Sequence, residues 1–398
     1  MPLSPLAESP LARRARRRSM GALLVALAVC VTACATAPGV APGAPRALGQ
    51  PRGTPGAVGQ PAPSGAGDLA AVSCSDAAHC WAVGAAIVST VNGGASWTTQ
   101  RVPPPLTPQL DGIACPGKEQ CMAVGSDGSP TGAGLVLTTR NGGATWLESP
   151  APAGALVLTS VECSTTSVCL AIDDNGLNTL SVRTTDFGRT WQQGGDLPAG
   201  FHSAHHLWCT SGGTCLVAGF VATTAAHGEG AVVRSTDGGQ TWATTRVPTG
   251  AGVLRDATCR TDAACLAVGT TSTAVSAVVA ARGELLVSTD DGREWTTSRA
   301  GPPVHDVYGI ACPLGRVCAM VGADWVGRPP VATGAVARSG NGGLSFTPTS
   351  AAYVPLPLIA VSCPTDGACV AVGDDVLARI ALPIPEAKPS TGGRSPSR

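Results

Sequence analysis

The stretch STDGGQTW at residues 235–242 is one of six copies of a short motif, which we call the box. Every copy has a hydroxyl residue, an acidic or amide residue two positions later, one or two glycines in the two positions after that, and a final aromatic residue. The other copies are TVNGGASW at 90–97, TRNGGATW at 139–146, TTDFGRTW at 184–191, STDDGREW at 288–295 and SGNGGLSF at 339–346. A motif that recurs at long, similar intervals indicates a chain built from repeated units.

A pair of cysteines with the spacing C-x5-C precedes every box, and a seventh pair follows the last box. The pairs are Cys74 and Cys80, Cys115 and Cys121, Cys163 and Cys169, Cys209 and Cys215, Cys259 and Cys265, Cys312 and Cys318, and Cys363 and Cys369. The first cysteines of successive pairs lie 41–53 residues apart. The chain therefore contains seven units, of which the last lacks the box.

Each unit predicts four short strands: one that ends at the first cysteine, one that starts at the second cysteine, one before the box and one from its aromatic residue onward. Radial repetition of such units gives an all-β, seven-bladed β-propeller of four-stranded antiparallel blades, because each sheet buries its faces against its neighbours. An open β-solenoid is the alternative, although solenoids repeat at shorter periods. The fourth strand of the seventh blade is ALPIPE at 381–386, is absent, or comes from the segment before Asp68.

The box falls where the third strand must turn back into the fourth. Its Asp or Asn can accept hydrogen bonds from turn N–H groups, its glycines can take positive φ, and its aromatic residue can pack on the sheet. The acidic or amide positions are Asn92, Asn141, Asp186, Asp237, Asp290 and Asn341. These motifs resemble the Asp-box, or BNR repeat, of sialidases, sortilin-type receptors and the photosystem II assembly-factor family. The resemblance implies a propeller with the box as a structural turn, and it implies no particular activity.

The cysteine pairs predict one disulfide bond within each blade, because each pair faces across the hairpin of the first two strands. Zinc sites favour C-x2–4-C, and seven equivalent pairs on seven blades cannot converge on one ion. Thioredoxin-like redox chemistry needs C-x-x-C. We therefore predict no metal and no cofactor.

The N-terminus has the order of regions that is typical of an export signal. Basic residues from Arg13 to Arg18 precede an apolar run from Met20 to Val31, and small residues precede Cys34. The small residues resemble the bacterial lipobox, which implies a lipoprotein signal peptide over 1–34 and an acylated Cys34. An ordinary cleaved signal is the alternative. Either signal predicts an exported protein, on the outer side of the cytoplasmic membrane or secreted, where disulfides persist.

Residues 35–67 and 383–398 contain almost no large apolar side chains. Such segments cannot bury enough surface to offset the entropy of ordering, so we predict a disordered tether and a disordered tail. The propeller is then expected over 68–382.

The order of strands places the turns between the paired cysteines on the same face of the ring as the boxes. We call this face the box face. The opposite loop face carries the turns between strands two and three and the connections between blades. Length variation is confined to the loop face, where rigid scaffolds carry binding residues. Candidate ligand-binding residues there are Asp324, Trp325, Arg328, His305, Asp306 and Tyr308. An aromatic plate beside a carboxylate and a guanidinium can grip a sugar or a peptide; alternatively, Trp325 only covers apolar loop surface.

The segment FHSAHH at 201–206 offers a metal site through His202, His205 and His206, but we favour a solvated connection between blades. A sialidase needs three substrate-gripping arginines and an activated tyrosine. The chain has only two tyrosines and no Arg-Ile-Pro motif before the first box. Another glycosidase could pair Asp306 with Asp324 across a cleft.

The chain has a formal net charge of zero and 13% charged residues, which excludes the basic footprint of a nucleic-acid binder. We therefore predict a non-catalytic, lipid-anchored, monomeric scaffold that binds a protein or glycan in the cell envelope. The alternative is an exo-sialidase-like glycoside hydrolase that uses the loop face.

Overall fold

The computed structural model describes residues 56–382, apart from 105, 130–131, 175–178, 203–205, 225–226, 261–262, 273–281, 314–316, 327–330, 350, 353 and 366, and apart from the side chains of 351–352. The predicted signal peptide, Cys34, most of the tether and the tail lie outside these residues. Within the described part of the chain, no helix is long and apolar enough to cross a membrane.

Thirty strands of the described residues form seven separate sheets, so the predicted all-β, seven-bladed propeller is confirmed. Blade 1 follows the N-terminal strand β1 (Ala57–Pro61) and consists of β2 (Leu69–Cys74), β3 (Cys80–Gly84), β4 (Ile87–Thr90) and β5 (Thr98–Thr99). Blade 2 consists of β6 (Gln109–Gly117), β7 (Gln120–Ser126), β8 (Gly134–Thr139) and β9 (Leu147–Ser149). Blade 3 consists of β10 (Leu158–Cys163), β11 (Cys169–Asp174), β12 (Thr179–Thr184) and β13 (Gln192–Asp196).

The remaining blades continue the same order. Blade 4 consists of β14 (Phe201–His202), β15 (Leu207–Cys209), β16 (Cys215–Ala222), β17 (Gly228–Ser235) and β18 (Ala243–Thr244). Blade 5 consists of β19 (Leu254–Cys259), β20 (Cys265–Thr270), β21 (Gly283–Ser288) and β22 (Thr296–Thr297). Blade 6 consists of β23 (Asp306–Ala311), β24 (Cys318–Val326), β25 (Val331–Ser339) and β26 (Thr347–Pro348). Blade 7 consists of β27 (Ala351–Ala352), β28 (Leu358–Thr365), β29 (Ala368–Gly373), β30 (Val376–Ala381) and β1.

The N-terminal strand β1 closes the ring. Strand β1 pairs antiparallel with β30 over five residues, and β27 covers the outer edge of β1. Of the three alternatives for the last fourth strand, the segment before Asp68 is therefore the one observed. The predicted boundary at residue 67 is wrong, because 57–61 belong to the sheet. This strand, AVGQP, contains no large apolar side chain, and pairing through the backbone needs none, so composition does not reveal it.

All seven predicted disulfides are present, one in each blade, with Cα atoms 3.9–4.3 Å apart. In blade 3, for example, Cys163 and Cys169 lie directly opposite each other in the antiparallel pair of β10 and β11. Direct opposition brings Cα atoms of neighbouring strands to about 4.5 Å without a disulfide. The seven disulfides are consistent with an oxidising compartment outside the cytoplasm.

The box of blade 4 shows how the hairpin is held. Gly239 has a φ of 86° and donates its N–H to Ser235 Oγ at 2.9 Å, while Asp237 Oδ1 accepts the N–H of Thr241 at 2.9 Å. Burial opposes the charge of Asp237, but hydrogen bonds from Thr241 and Ser235 lower the pKa of this carboxyl to about 2. The carboxylate of this box aspartate thus accepts hydrogen bonds within the turn and stabilises it.

The boxes also lock each of blades 1–6 to the blade before it. A Cβ added at Gly239 would lie 2.5 Å from Cδ1 of Leu170, the residue after the second cysteine of blade 3. Trp242 of the same box donates its Nε1–H to Ser181 Oγ in blade 3 at 3.1 Å. We call the residue after the second cysteine of a blade the knob. The knobs and box glycines that meet at the other interfaces are Val370 with Gly94, Trp81 with Gly143, Met122 with Gly188, Leu216 with Gly292, and Leu266 with Gly343. Blade 6, which faces the blade without a box, has only Ala319 at the knob position.

The inner ends of the blades are joined by side chains that bind backbone N–H groups of the next first strand. Ser160 Oγ accepts the N–H of Leu207 at 2.9 Å, and Ser362 Oγ accepts the N–H of Cys74 at 3.1 Å. An innermost strand has an unpaired edge, so these bonds satisfy donors that the sheet leaves open.

Candidate functional site

Two hairpins extend the ring on the loop face. Strands β24 and β25 of blade 6 have nine residues each, and β16 and β17 of blade 4 have eight each, whereas β3 and β4 of blade 1 have five and four. At the end of the blade 6 hairpin, Val326 pairs with Val331, and their side chains are 50% and 60% exposed. These two β-branched residues place exposed apolar surface near the end of a projecting hairpin.

Asp324 and His305 meet at the base of this hairpin. The backbone N–H of His305 donates to Asp324 Oδ1 at 2.9 Å, and the ring Nδ1 lies 3.3 Å from the same oxygen. Both side chains keep substantial exposure, 57% for His305 and 40% for Asp324. The contact fastens the connection between blades 5 and 6 to the hairpin and leaves polar surface open beside it.

Asp306, Tyr308 and Arg255 form a second group next to it. Tyr308 donates its hydroxyl hydrogen to Asp306 Oδ2 at 3.2 Å, and the Arg255 guanidinium lies 4.7 Å from the centre of the Tyr308 ring. Asp306 is 1% exposed, and its Oδ1 accepts no hydrogen bond from a described residue; Arg255 Nη2 lies 3.9 Å from it. Burial raises the pKa of Asp306, and Arg255 and Tyr308 oppose that rise.

Two other buried acids on this face are held by the backbone. Asp173 Oδ1 accepts the N–H groups of Leu156 and Val157, and Glu284 Oε2 accepts the N–H of Gly252 at 2.7 Å. These carboxyls fasten the connections between blades. Asp306 differs from them because only side chains approach it.

Five of the six predicted site residues thus lie in one part of the loop face, His305 with Asp324, Asp306 with Tyr308, and Trp325 on the same hairpin. Arg328 lies outside the described residues. The Trp325 Nε1 atom is buried and has no hydrogen-bond partner among the described residues. The structure supplies a guanidinium from Arg255, which the sequence analysis missed.

Arg255 could have been found by aligning the units on their first cysteine. Arg255 and Tyr308 both lie four residues before that cysteine, in LRDATC and VYGIAC. The register of each first strand shifts at this position, between Leu254 and Asp256 in blade 5 and between Val307 and Gly309 in blade 6. A β-bulge re-aims the side chain of its extra residue. Neighbouring bulges therefore bring Arg255 and Tyr308 together.

The centre of the ring contains a cavity of about 330 Å³ that is lined by the first strands of all seven blades. Its lining is uneven. The third residues before the first cysteines are Ala71, Gly112, Ser160, His206, Asp256, Gly309 and Ala360. The residues directly before these cysteines are Ser73, Ala114, Glu162, Trp208, Thr258, Ala311 and Ser362. Among the described residues that line the cavity, the three titratable side chains and the one tryptophan belong to blades 3, 4 and 5.

His206 and Asp256 form an ion pair across the joint of blades 4 and 5, with Nδ1 and Oδ1 2.7 Å apart. Asp256 Oδ2 also accepts the N–H of Ile310 at 2.8 Å. Burial works against the charged ring, but Asp256 and Glu162 outweigh it and raise the pKa of His206 to about 9. The His206 side chain lies deep in the protein. Nevertheless 44% of its surface is reachable by water, because it borders the central cavity.

The predicted solvated connection at 201–206 fits His206, which precedes β15 and keeps 44% of its side chain exposed, but that side chain borders the central cavity and pairs with Asp256. His202 pairs with Phe220 in the sheet of blade 4, and His205 lies outside the described residues. Among the residues that the structure describes, no group of three or more potential ligands could hold a metal ion.

No protein-family model and no curated protein matches this chain. Solved structures do. A YCF48 protein bound to a D1 peptide is 16% identical, with a TM-score of 0.60 over 83% of this chain and 98% of that one. A GH74 enzyme from Niastella koreensis is 12% identical, with a TM-score of 0.59 over 79% of this chain and 52% of that one. A virginiamycin B lyase from Staphylococcus aureus is 12% identical, with a TM-score of 0.58 over 82% and 99%. These similarities show the propeller fold, which binding proteins and enzymes share.

Proposed function

We propose that the protein is a non-catalytic, lipid-anchored propeller that binds a protein or glycan in the cell envelope through its loop face. The observation that carries the proposal is the exposed Val326 and Val331 pair, which stands above the polar surface of His305 and Asp324. Protein interfaces combine an apolar centre with a polar rim, and they favour tyrosine, tryptophan and arginine as anchors. Blade 6 and its neighbour Arg255 supply these residue types.

A propeller of the same fold holds a peptide in the YCF48 structure with a D1 peptide. That similarity supports peptide recognition as an activity that the fold can perform. The partner of this chain would lie outside the cytoplasm, where its seven disulfides are expected to persist.

The direction of strand β1 also supports an anchored binding protein. Ala57 pairs with Ile380 and Pro61 pairs with Val376, the residue that follows the loop-face turn at Asp374 and Asp375. Strand β1 therefore starts at the box face and runs to the loop face. A chain anchored at a position before β1 would therefore enter the ring on the box face, which is opposite the proposed site.

The carboxyls of the site favour binding over hydrolysis. Asp324 is held by His305, and Asp306 is enclosed by Arg255 and Tyr308. A glycosidase needs one carboxylic acid and one carboxylate free to act on opposite sides of a sugar. The similarity to a GH74 enzyme keeps a glycoside hydrolase as the alternative function.

Crosslinking in intact cells tests the proposal. A photo-reactive amino acid replaces Val331 on the loop face or, as a matched control, Leu344 in the box of the same blade, which is 65% exposed. We expect a reproducible crosslinked partner from position 331 that position 344 does not give. For a glycan partner, the purified protein should retain members of a glycan panel, and Val331→Asp should abolish retention. Crosslinks that are equal at both positions, with no retained glycan, would refute a loop-face binding site.

A separate assay distinguishes the alternative. The purified protein is incubated with a fluorogenic sialoside and with the same glycan panel, and products are analysed. We expect no turnover. Turnover that Asp306→Asn abolishes would replace the scaffold proposal with the hydrolase.

A further inference from the structure

The central cavity has an uneven distribution of charge. His206 and Asp256 carry opposite charges and neutralise each other through their 2.7 Å ion pair. Glu162 is the third titratable group among the described residues of the lining, and His206 is the positive group that acts on it. The cavity therefore carries one uncompensated negative charge when all three groups are ionised.

The surroundings of Glu162 explain why this charge is costly without a ligand. Burial raises the pKa of Glu162 to about 7, although His206 opposes the rise. Blades 1, 2, 6 and 7 contribute serine, alanine and glycine at the equivalent lining positions, and none of these can supply a cation. A buried carboxylate is stabilised when a positive group comes within reach.

Trp208 lines the same cavity from the neighbouring blade. It occupies the position of Glu162 in the next unit, since both residues directly precede a first cysteine. The face of a tryptophan ring attracts organic cations, and the attraction grows when the cation loses water. A carboxylate next to an aromatic ring is thus a recognition pair for an ammonium or guanidinium group.

The cavity is large enough and can be reached from outside. Its volume of about 330 Å³ exceeds the roughly 150 Å³ that holds a benzene-sized ligand. Glu162 also borders a second cavity of about 370 Å³, lined by Thr165, Ser211 and Gly212 of the turns between the paired cysteines of blades 3 and 4, and by the oppositely charged Arg183 and Asp237. Those turns belong to the box face. A flexible chain can therefore approach Glu162 from the face opposite the site proposed above.

We propose that Glu162 and Trp208 form a binding site in the central channel for a positively charged organic side chain, an alkylammonium or alkylguanidinium group that approaches from the box face. Glu162 pairs with the cation, Trp208 covers it, and the small side chains of the other blades leave room for the alkyl part. The site is independent of the loop-face surface, because it uses blades 3 and 4 at the other end of the channel.

Calorimetric titration of the purified protein tests the site. The probes are Nα-acetyl-lysine methylamide, Nα-acetyl-arginine methylamide and the neutral Nα-acetyl-norleucine methylamide. The titration is run at low salt near about pH 8, between the pKa of about 7 for Glu162 and about 9 for His206, so that both groups are charged. We expect at least one cationic probe to bind about tenfold more tightly than the norleucine probe.

Glu162→Gln should reduce cation binding to the level of the neutral probe, because it keeps the shape and removes the charge. Glu148→Gln is the matched control, since Glu148 is an exposed acid on the outer strand β9, and it should leave binding unchanged. Equal binding of cationic and neutral probes by the wild-type protein would overturn the proposal without any variant. Full cation binding by a folded Glu162→Gln protein would overturn it as well.

Discussion

Blades 4 and 7 are built from the same repeat and are held in the ring by different means. Blade 4 has the full box, and Leu170 of blade 3 packs on its Gly239. Blade 7 has no box; instead, Ala57 of β1, Ile380 and Leu382 share a buried cluster with Ala319 of blade 6. The small knob on blade 6 and the missing box of blade 7 therefore belong together.

The inner ends of the two blades differ in the same way. Blade 7 places Ala360 and Ser362 at the lining positions and joins blade 1 by a neutral hydrogen bond. Blade 4 places His206 and Trp208 there and joins blade 5 by an ion pair. The disulfide is therefore the constant part of the unit. The box can be replaced by ring closure, and the lining positions are free to carry chemistry.

Removing β1 should have the largest effect. A protein that starts at Ala62 loses five residue pairs with β30, at about 1 kcal/mol for each hydrogen bond, and exposes the edge of blade 7. We expect a lower unfolding temperature and self-association, measured by thermal unfolding and gel filtration. A protein that starts at Gly56 keeps β1 and should behave like the wild type. Equal stability of the two truncated proteins would show that β1 does not close the ring.

Filling the box glycine of blade 4 should have a smaller effect. Gly239→Ala meets Leu170 at 2.5 Å and also strains a φ of 86°, so we expect a loss of about 2–4 kcal/mol in the free energy of unfolding. Gly250→Ala is the control, because Gly250 has a φ of 80° with open space around it. It should cost only about 1 kcal/mol from backbone strain. Denaturant unfolding that gives equal losses would contradict an interlock between boxes and knobs.

The pH dependence of stability should reveal the ion pair of blade 4. The pKa of His206 is raised from 6.5 to about 9 in the folded protein. Its contribution to stability is fully present below pH 6.5 and is lost as the pH rises through about 9. We expect the unfolding temperature to fall over this range, and to fall less in Asp256→Asn, which keeps an oxygen for the Ile310 N–H. Ser362→Ala, at the neutral joint of blade 7, should leave the slope unchanged. An unaltered slope in Asp256→Asn would disprove the assignment.

The repeat made most of the fold predictable. The spacing of cysteines and boxes predicted seven four-stranded blades, the staples and the place of each box, because these features recur in every unit. The closing strand was left among three alternatives, since Ala57 and Gly59 carry no apolar pattern and are specified only by the free edge of β30. Its pairing joins residues 57–61 to residues 376–380, which lie far apart along the chain.

The candidate site was predictable where its residues stand close in sequence. Asp324 and Trp325 adjoin each other, as do His305 and Asp306, and the variable loops directed attention to them. Arg255 was missed because it belongs to another blade and reaches Tyr308 only through two neighbouring bulges. The charged lining of the cavity was missed for a similar reason, since Glu162, His206 and Asp256 lie about 50 residues apart along the repeat.

The sequence by itself determined the unit of this protein, its strands, its disulfide and its turn, because each of these is formed by residues within one repeat of 41–53 positions. Only the tertiary structure decided what the units share: the strand that closes the ring, the knob that fills a neighbour's box and the three charged groups around one cavity. These features depend on which blade stands next to which. Adjacency in a closed ring is a property of the whole chain, and no single repeat encodes it.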